Sequence, residues 1–354
     1  MIDFFTKAKQ QKHLDLPFVI YSKPNNDEIV GYFQKNDHLY FAEDFSEKGF
    51  VFAPFDGNQK ILIPESQAEK WVTKISVSDE NIVSDFEYPT NPSAKKKFEA
   101  LVQKGIDAIQ KGEFHKVVLS RDEIVAVSDF DIVTVFKKLV FTYPSAFSYC
   151  WFHPKIGLWM GATPELLLKT EAKTFYTVAL AGTQTFKDTL EVIWESKERE
   201  EQLIVTDYIL ENLKAHTSEI TISSPYTIKA GSLLHIKTDI EGVINQKANL
   251  KDIITILHPT PAVCGLPKNT AKDFILTHEG YSRAYYTGFL GELNVDSSNE
   301  EKSKSDLFVN LRCMQIKDQQ AHLYVGCGIT KDSNPEKEWT ETVHKSLTMK
   351  KILL

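Results

Sequence analysis

Short apolar runs of strand length recur along most of this 354-residue chain. Asn, Asp, Gly and Pro separate neighbouring runs, which is typical of strands joined by hairpins. The helical patterns come in blocks and do not alternate strictly with the strands. This arrangement argues against a parallel sheet with a helix after every strand, and it predicts an α+β fold with large antiparallel sheets.

The first part of the chain, residues 1 to about 77, begins with a helix start. The aromatic-rich runs FVIYSK, IVGYFQ, HLYFAE, FVFAPF and KILIPE follow it. We predict that these runs form one antiparallel sheet layer, which contains no candidate catalytic cluster. Residues 78–93 have the composition of a connection that runs over the surface.

From Ser93 onward the pattern changes to longer helices and further strands. The runs LWMGATPELLLKT and LFVNLRCMQIKD each predict one strand, and SKEREEQLIVTDYILENLKAH predicts a long amphipathic helix. Two more helices are predicted, one over about 251–257 and one within 269–286. We therefore divide the chain into a strand-rich segment, 1–92, and the remainder, 93–354.

Composition excludes several classes of function. The net charge is -7 and the pI is about 5.9, so bulk attraction to nucleic acid or to an anionic membrane is not expected. The four cysteines stand far apart, which argues against a disulfide or metal-thiolate framework. The polar start and the lack of an apolar run of about 18 residues predict a cytoplasmic protein without a membrane span.

The last 32 residues hold a dense group of charged side chains. Apolar LYV predicts a strand, and Gly326-Cys327-Gly328 predicts a glycine turn with a tight backbone approach after it. Asn334 followed by Pro335 is a helix start. The spacing i, i+3, i+7 then places three charged residues on one helix face, where they could hold a hard cation and an anion or could form a solvated charged face: Glu338, Glu341 and Lys345.

A second helix offers a matching pair of carboxylates. Glu198 and Glu201 stand three residues apart in SKEREEQL, which places them on one face. Carboxylate oxygens from two helices suit Mg²⁺, a hard cation that also keeps positions for water and substrate oxygens. The alternative for this pair is again a solvated face.

Single polar residues interrupt several apolar runs. Glu165 in LWMGATPELLL is either exposed at a strand end or buried with the raised pKa that a general acid needs. Lys116 in HKVVLSR is either an edge-strand lysine or a desolvated base. Arg312 needs an internal or ligand carboxylate as partner. His258 in LHPTPAV is a structural histidine or a ligand contact, and Gly182 could offer its N–H to an anion.

The order of the motifs is more specific than any one of them. The chain contains in sequence KVVLSR, TPELLL, LAGT, SKEREEQ, LHPTPAVCGLP, NLRCMQI and GCGIT…NPEKEWTETVHK. In this order they resemble the chorismate-utilising enzymes, which include isochorismate, salicylate, anthranilate and aminodeoxychorismate synthases. The resemblance covers roughly residues 93–354. It implies two large antiparallel β-sheets packed together with helices outside, and it makes 93–354 the chorismate-binding region.

The resemblance also implies a Mg²⁺ ion that holds the ring carboxylate of chorismate. Glu201 and Glu341 match its ligands, with Glu198 and Glu338 nearby in support. Other positions match residues that contact the ring and the enolpyruvyl carboxylate, and these are Gly182, Thr183, His258, Arg312, Tyr324, Gly326, Gly328 and Lys345.

Two positions favour the isochorismate-forming branch of the family, although Thr183 leaves the branch point open. Isochorismate-forming members resemble this chain in having a lysine at position 116, which activates water, whereas amine-adding members lack it. Aminodeoxychorismate synthases carry a nucleophilic lysine where this chain has Ala181. Gln202 is a departure, since members commonly have His there, and Thr183 also occurs in salicylate formers.

We therefore predict a Mg²⁺-dependent isomerase that converts chorismate to isochorismate. Lys116 would take a proton from the water that attacks C2, and Glu165 would protonate the departing C4 hydroxyl. A salicylate synthase and a non-catalytic chorismate-binding paralogue are the alternatives. We expect a monomer without an amidotransferase subunit, whose product could enter menaquinone or siderophore biosynthesis.

Overall fold

The computed structural model describes residues 2–75, 91–230, 233–296 and 303–353. The surface connection predicted for 78–93 falls almost entirely outside these residues. Among the described helices, none is both long and apolar enough to cross a membrane.

The described helices and strands follow one another in blocks, as the sequence predicts. The helices are α1 (Phe4–His13), α2 (Pro92–Gln110), α3 (Ile132–Thr142), α4 (Ser196–Leu213), α5 (Leu250–Leu257), α6 (Lys268–His278) and α7 (Pro335–Leu353). The first strands are β1 (Phe18–Ser22), β2 (Glu28–Gln34), β3 (Tyr40–Phe41), β4 (Gly49–Ala53), β5 (Ile61–Pro64), β6 (Ala68–Lys74), β7 (Lys116–Ala126), β8 (Phe147–His153), β9 (Gly157–Thr163) and β10 (Leu166–Glu171). The later strands are β11 (Thr174–Thr185), β12 (Thr217–Ile222), β13 (Tyr226–Ala230), β14 (Leu233–Ile244), β15 (Gly265–Leu266), β16 (Phe289–Asp296), β17 (Ser303–Val309), β18 (Cys313–Lys317) and β19 (Gln320–Ile329).

These strands form two large antiparallel sheets, which confirms the predicted α+β class. The first sheet has nine strands in the order β15-β7-β19-β18-β9-β8-β1-β2-β6, and the second has ten, with β12-β14-β11-β10-β17-β16-β4-β5-β3 in line and β13 beside β14. An aromatic core joins them, in which the rings of Phe52 on β4 and Trp151 on β8 lie 4.7 Å apart. Helices α1 and α3 cover the outer face of the first sheet, and α4 and α5 cover the second.

The N-terminal strands do not form the single layer that the sequence predicted. Strands β1, β2 and β6 belong to the first sheet, whereas β3, β4 and β5 belong to the second. Every residue of β1 and β4 is buried, because each strand has its sheet neighbours beside it and protein on both faces. Because both faces are buried, apolar and polar residues do not alternate along these strands. The sequence therefore does not show which sheet each strand joins.

Two runs that each predicted one strand are divided between the sheets. The first run breaks at Pro164 and Glu165, so that β9 lies in the first sheet and β10 in the second. The second run breaks between β17 and β18 at Arg312, whose φ is +46°. The two crossings lie side by side, since Val309 N donates to Glu165 O at 2.9 Å and Ala162 N donates to Arg312 O at 3.1 Å.

The C-terminal part is largely as predicted, with one correction. The side chain of Asn334 accepts from the backbone N–H groups of Glu336 and Lys337, so it caps α7 at Pro335 as expected. The glycine turn predicted at Gly326–Gly328 is wrong, because these residues continue β19 and pair with β7. The close approach predicted at these glycines is confirmed, since a Cβ at Gly328 would lie 2.8 Å from Glu201 Oε1.

Candidate active site

A cavity of about 450 Å³ opens where the two crossings meet helices α4 and α7. Most of the predicted site residues line it, although they come from six separate stretches of the chain. They are Glu165, Gly182, Thr183, Glu198, Glu201, Arg312, Tyr324, Gly326, Gly328, Glu338, Glu341 and Lys345. Two predicted residues, Lys116 and His258, are not among the described lining residues.

Helices α4 and α7 bring their carboxylates to the same cavity. Gly182, in a bulge of β11 with φ +73°, allows α4 to approach, because a Cβ there would lie 3.1 Å from Glu198 Cβ. On α7, Glu338, Glu341 and Lys345 share one face and line the cavity, as predicted. Lys345 Nζ donates to Glu341 Oε1 at 2.6 Å and to Gly326 O at 2.9 Å. Lys345 therefore ties the helix to β19.

Lys116 lies directly beneath the cavity floor. It is 1 % exposed and its Nζ donates to Glu201 Oε1 at 2.7 Å. Its side chain packs against the backbone at Gly328, where a Cβ would come within 3.2 Å of Lys116 Cε. The edge-strand alternative is excluded, because β19 and β15 flank β7 at this point. The buried lysine thus reaches the cavity through a lining carboxylate.

Glu165 lies at the first crossing and is partly exposed to the cavity. Burial raises the pKa of this carboxyl to about 7, against the opposing effect of the cations Lys116, Lys345 and Arg312. The carboxyl is therefore partly protonated at neutral pH. Such a pKa suits a general acid, because a group transfers protons most effectively when its pKa lies near the operating pH.

Arg312 lies at the second crossing, next to Glu165. Burial lowers the pKa of its guanidinium, with Tyr286, Tyr143, Glu341 and Glu165 acting in the opposite direction. Its Nη1 donates to Thr348 Oγ1 on α7 at 3.0 Å. The guanidinium thus stands between the crossings and α7, where a ligand carboxylate entering the cavity could meet it.

His258 stands behind the cavity wall instead of on it. Its Nε2 lies 3.2 Å from the carbonyl of Thr287, which does line the cavity, and its ring packs edge-on against Phe289. Burial lowers the pKa of His258 to about 3, so the ring is neutral. In this structure His258 supports Thr287, and its contact with a ligand stays a prediction.

These residues match a known family. The family model for chorismate-binding enzymes covers residues 58–354. The chain belongs to this family. Isochorismate synthase EntC of Escherichia coli (strain K12) is 29% identical over 316 residues, which is 84% of this chain and 78% of EntC. Isochorismate synthase MenF of the same strain is 28% identical over 72% of this chain and 59% of MenF.

Other relatives extend the similarity to anthranilate synthase component 1 and to solved structures. Anthranilate synthase component 1 of Aeropyrum pernix is 30% identical over 75% of this chain and 62% of that protein. The crystal structure of DhbC from Bacillus anthracis superposes with a TM-score of 0.78 at 21% identity, covering 98% of this chain and 99% of DhbC. That of MenF, the menaquinone-specific isochorismate synthase from E. coli, gives 0.77 at 21%, covering 96% and 89%. These superpositions confirm the predicted fold.

Three lining residues of this chorismate-binding enzyme were missed by the sequence reasoning. His235 on β14 is buried, its Nδ1 lies 2.8 Å from Gly182 O, and burial lowers its pKa to about 4. A polar residue within the apolar run LLHI was the available signal. Tyr286 stacks on Tyr324 with ring centroids 5.6 Å apart, and Thr287 follows it with φ +59°. Their segment carries no strand or helix period, so no pattern marked them.

Gln202, which the family resemblance marks as a departure from His, lies on α4 and is buried. Its amide nitrogen donates to Thr206 Oγ1 at 2.8 Å and to Thr238 Oγ1 at 2.7 Å. The bond to Thr238 ties α4 to β14 and so anchors the helix that carries Glu201. That the change from His alters the support of Glu201 stays a prediction.

The four glutamates fit a magnesium site in ligand chemistry but are not gathered around one point. Within the described residues, no three His, Cys, Asp or Glu side chains come close enough to hold one ion. Glu201 and Glu341 each hold a lysine instead. In contrast, Oε2 of Glu198 is buried without a hydrogen-bond partner in the described chain. A cation would satisfy that oxygen, and carboxylate oxygens are the ligands that Mg²⁺ prefers.

Proposed function

We propose that this chain is an isochorismate synthase, an isomerase that moves a hydroxyl on the chorismate ring. Water adds at C2, the C4 hydroxyl leaves as water, and the double bonds shift, so no oxidant or reductant is needed. The observation that carries the proposal is the meeting of Glu165, with its pKa near 7, and the buried Lys116 at one cavity. The isochorismate synthases among the relatives support it.

Glu165 is the general acid of this reaction. The C4 hydroxyl is a poor leaving group unless it takes up a proton as its bond to carbon breaks. A carboxyl with pKa about 7 is partly protonated at neutral pH and can supply that proton. The backbone of Glu165 is fixed by its bond to Val309 N. The acid is thereby held at a defined place at the cavity wall.

Lys116 is the general base toward the attacking water. It now forms an ion pair with Glu201, and an ion pair is made by the ammonium form of lysine. Lys116 can therefore take a proton only when Glu201 has another cationic partner or has moved. This requirement links the base to the carboxylates of the helices and predicts that Lys116 acts only in the loaded site.

The substrate carries two carboxylates, and the cations around the cavity suit them. Arg312 and Lys345 both line the cavity, one from the second crossing and one from α7. The ring would lie between them beside Tyr286 and Tyr324, whose stacked faces form a flat wall. An acidic protein can in this way bind a dianion through a local cluster of cations.

We propose further that Glu198, Glu201, Glu338 and Glu341 would hold Mg²⁺ when substrate binds. The ion would neutralise the ring carboxylate and act as a template for the substrate. Glu341 and Glu201 would then exchange their lysines for the metal.

The test is to incubate the pure protein with chorismate and Mg²⁺ and to identify the products by chromatography. Isochorismate as the product supports the proposal. Salicylate appearing without an added lyase would instead assign the chain to salicylate synthases, and no turnover with retained chorismate binding would indicate a non-catalytic paralogue. Anthranilate formation with ammonium would contradict the role given to Lys116.

A further inference from the structure

A fully buried ion pair lies next to the site at the edge of β7. Glu279 follows α6 directly, and Arg283 stands four residues later, with side-chain exposures of 1% and 2%. Arg283 Nε donates to Glu279 Oε2 at 2.8 Å, and Nη2 donates to Glu279 Oε1. Neither is among the described residues that line the cavity, and the chemistry proposed above uses neither of them.

The pair continues the edge of β7 where its neighbouring strand ends. Strand β15 pairs with β7 only at Lys116 and Val117, and the last bond of this edge is Val118 N to Cys264 O at 2.8 Å. Beyond it, Val118 O accepts from Arg283 Nη2 at 2.7 Å and Ser120 N donates to the Glu279 carboxylate at 2.7 Å. Two side chains therefore supply the donor and the acceptor that a neighbouring strand would supply.

Arg283 also joins this edge to the cavity wall. Its Nη1 donates to Val263 O at 3.0 Å and to Thr287 Oγ1 at 3.2 Å. With the bonds to Glu279 and Val118, all five N–H groups of the guanidinium have an acceptor. Val118, Val263 and Thr287 all line the cavity, and Val118 is two residues from Lys116 on the same face of β7.

Thr287 shows why this wall needs such a support. A β-branched residue rarely adopts a positive φ, and Thr287 has φ +59°. Such a conformation persists only where several contacts enforce it. Here Thr287 N donates to Asn310 O, its carbonyl lies beside His258 Nε2, and its hydroxyl accepts from Arg283.

We propose that Arg283 is a positioning residue for the reaction, held in place by Glu279. It fixes the distance between the strand that carries Lys116 and the wall formed by Val263 and Thr287, so that the base and the substrate ring meet in the right geometry. This inference rests on the proposed isochorismate synthase function. Misplacement of a reacting group by about 1 Å can cost on the order of 10²-fold in rate.

The test is Arg283→Lys, because lysine keeps the charge but has only three donors and no planar fork. Wild-type turnover of chorismate is measured first, so failure of the proposed function appears there and not in the variants. We expect kcat to fall on the order of 10²-fold with KM for chorismate nearly unchanged. Amide hydrogen exchange, which needs no turnover, should become faster at Ser120.

The matched control is Lys272→Met, which removes the cation of the Lys272–Asp56 pair on neighbouring α6 without touching β7 or the wall. It should leave kcat and the exchange of Ser120 unchanged. If Arg283→Lys does not fold, Glu279→Gln carries the test, since Gln keeps the shape and one acceptor oxygen. A folded variant with wild-type kcat overturns the proposal, as does loss of the fold in both variants, which would make the pair purely structural.

Discussion

The two sides of the cavity are built on different principles. The strand side carries Glu165 and Arg312 at backbone crossings that hydrogen-bond to each other's neighbours. The helix side carries its glutamates on α4 and α7, where Glu201 and Glu341 are held mainly by lysine side chains. A backbone crossing fixes a group in place, whereas a side-chain ion pair can exchange its partner. The strand side thus suits proton transfer, and the helix side suits the binding of a cation.

If this contrast is right, Lys116 is the residue whose loss costs most, because it connects the two sides. Lys116→Gln keeps length and polarity but cannot take a proton from water. We expect kcat to fall on the order of 10³-fold, with the KM for chorismate little changed. Steady-state assays of isochorismate formation measure both.

Lys95→Gln is the matched control, since Lys95 lies on α2 in an exposed pair with Glu336. It should retain wild-type rates. A Lys116→Gln enzyme that still hydroxylates C2 near the wild-type rate would show that another group is the base. The sequence argument for water rather than ammonia as the nucleophile would then be lost too.

Glu165→Gln removes the general acid from the strand side and keeps the shape of the side chain. We expect a fall in kcat on the order of 10²-fold, with chorismate binding retained, because Gln fills the same space and offers no transferable proton. Glu171→Gln, an exposed substitution at the end of β10, serves as control. Retention of most activity in Glu165→Gln would place the acid elsewhere.

The same contrast decides what the sequence could predict. The helix side follows local rules: Asn334 caps α7, and the spacing of Glu338, Glu341 and Lys345 sets one face. The structure confirms this cap and this face. The strand side does not follow local rules. Apolar residues continue on both sides of Glu165. Pro164 is a signal for a strand break, but it does not show that the chain changes sheets there.

Support residues were the hardest to find. Arg283 acts through acceptors on three separate stretches, and Thr287 matters through a backbone conformation that its residue type disfavours. Neither a period nor a motif expresses such contacts. His258 is a different case. The family resemblance makes it a ligand contact, whereas in this structure its ring bonds toward Thr287, so the ligand contact stays a prediction.

On the helix side we expect a weaker and repairable effect. Glu341→Gln halves the charge that Glu201 and Glu341 offer together and removes the carboxylate that holds Lys345. Apparent Mg²⁺ affinity should fall on the order of 10- to 100-fold, and excess Mg²⁺ should restore part of the rate. Mg²⁺ titration of activity, with binding followed by calorimetry, measures this.

Glu336→Gln, on the exposed start of the same helix, is the control for a change of charge alone. It should leave the Mg²⁺ dependence as in the wild type. Normal turnover of Glu341→Gln at low Mg²⁺ would rule out Glu341 as a ligand, and the helix side would lose its proposed role as a cation site.

The smallest expected effect tests the raised pKa of Glu165 without any substrate. The carboxyl has an ordinary pKa of 4.5 in the unfolded chain and about 7 in the fold. Below pH 4.5 it is protonated in both states, so it imposes no charge penalty on folding. As the pH rises toward 7, the unfolded chain releases the proton while the folded chain keeps it, and the folded state loses stability.

Glu165→Gln cannot ionise and therefore does not lose stability in this way. The difference between the Tm of Glu165→Gln and the Tm of the wild type should therefore increase by about 2 °C or more from pH 4.5 to 7. Above pH 7 this difference should stay constant. A gap that stays constant across this range would mean that the strand side does not hold Glu165 in its neutral form.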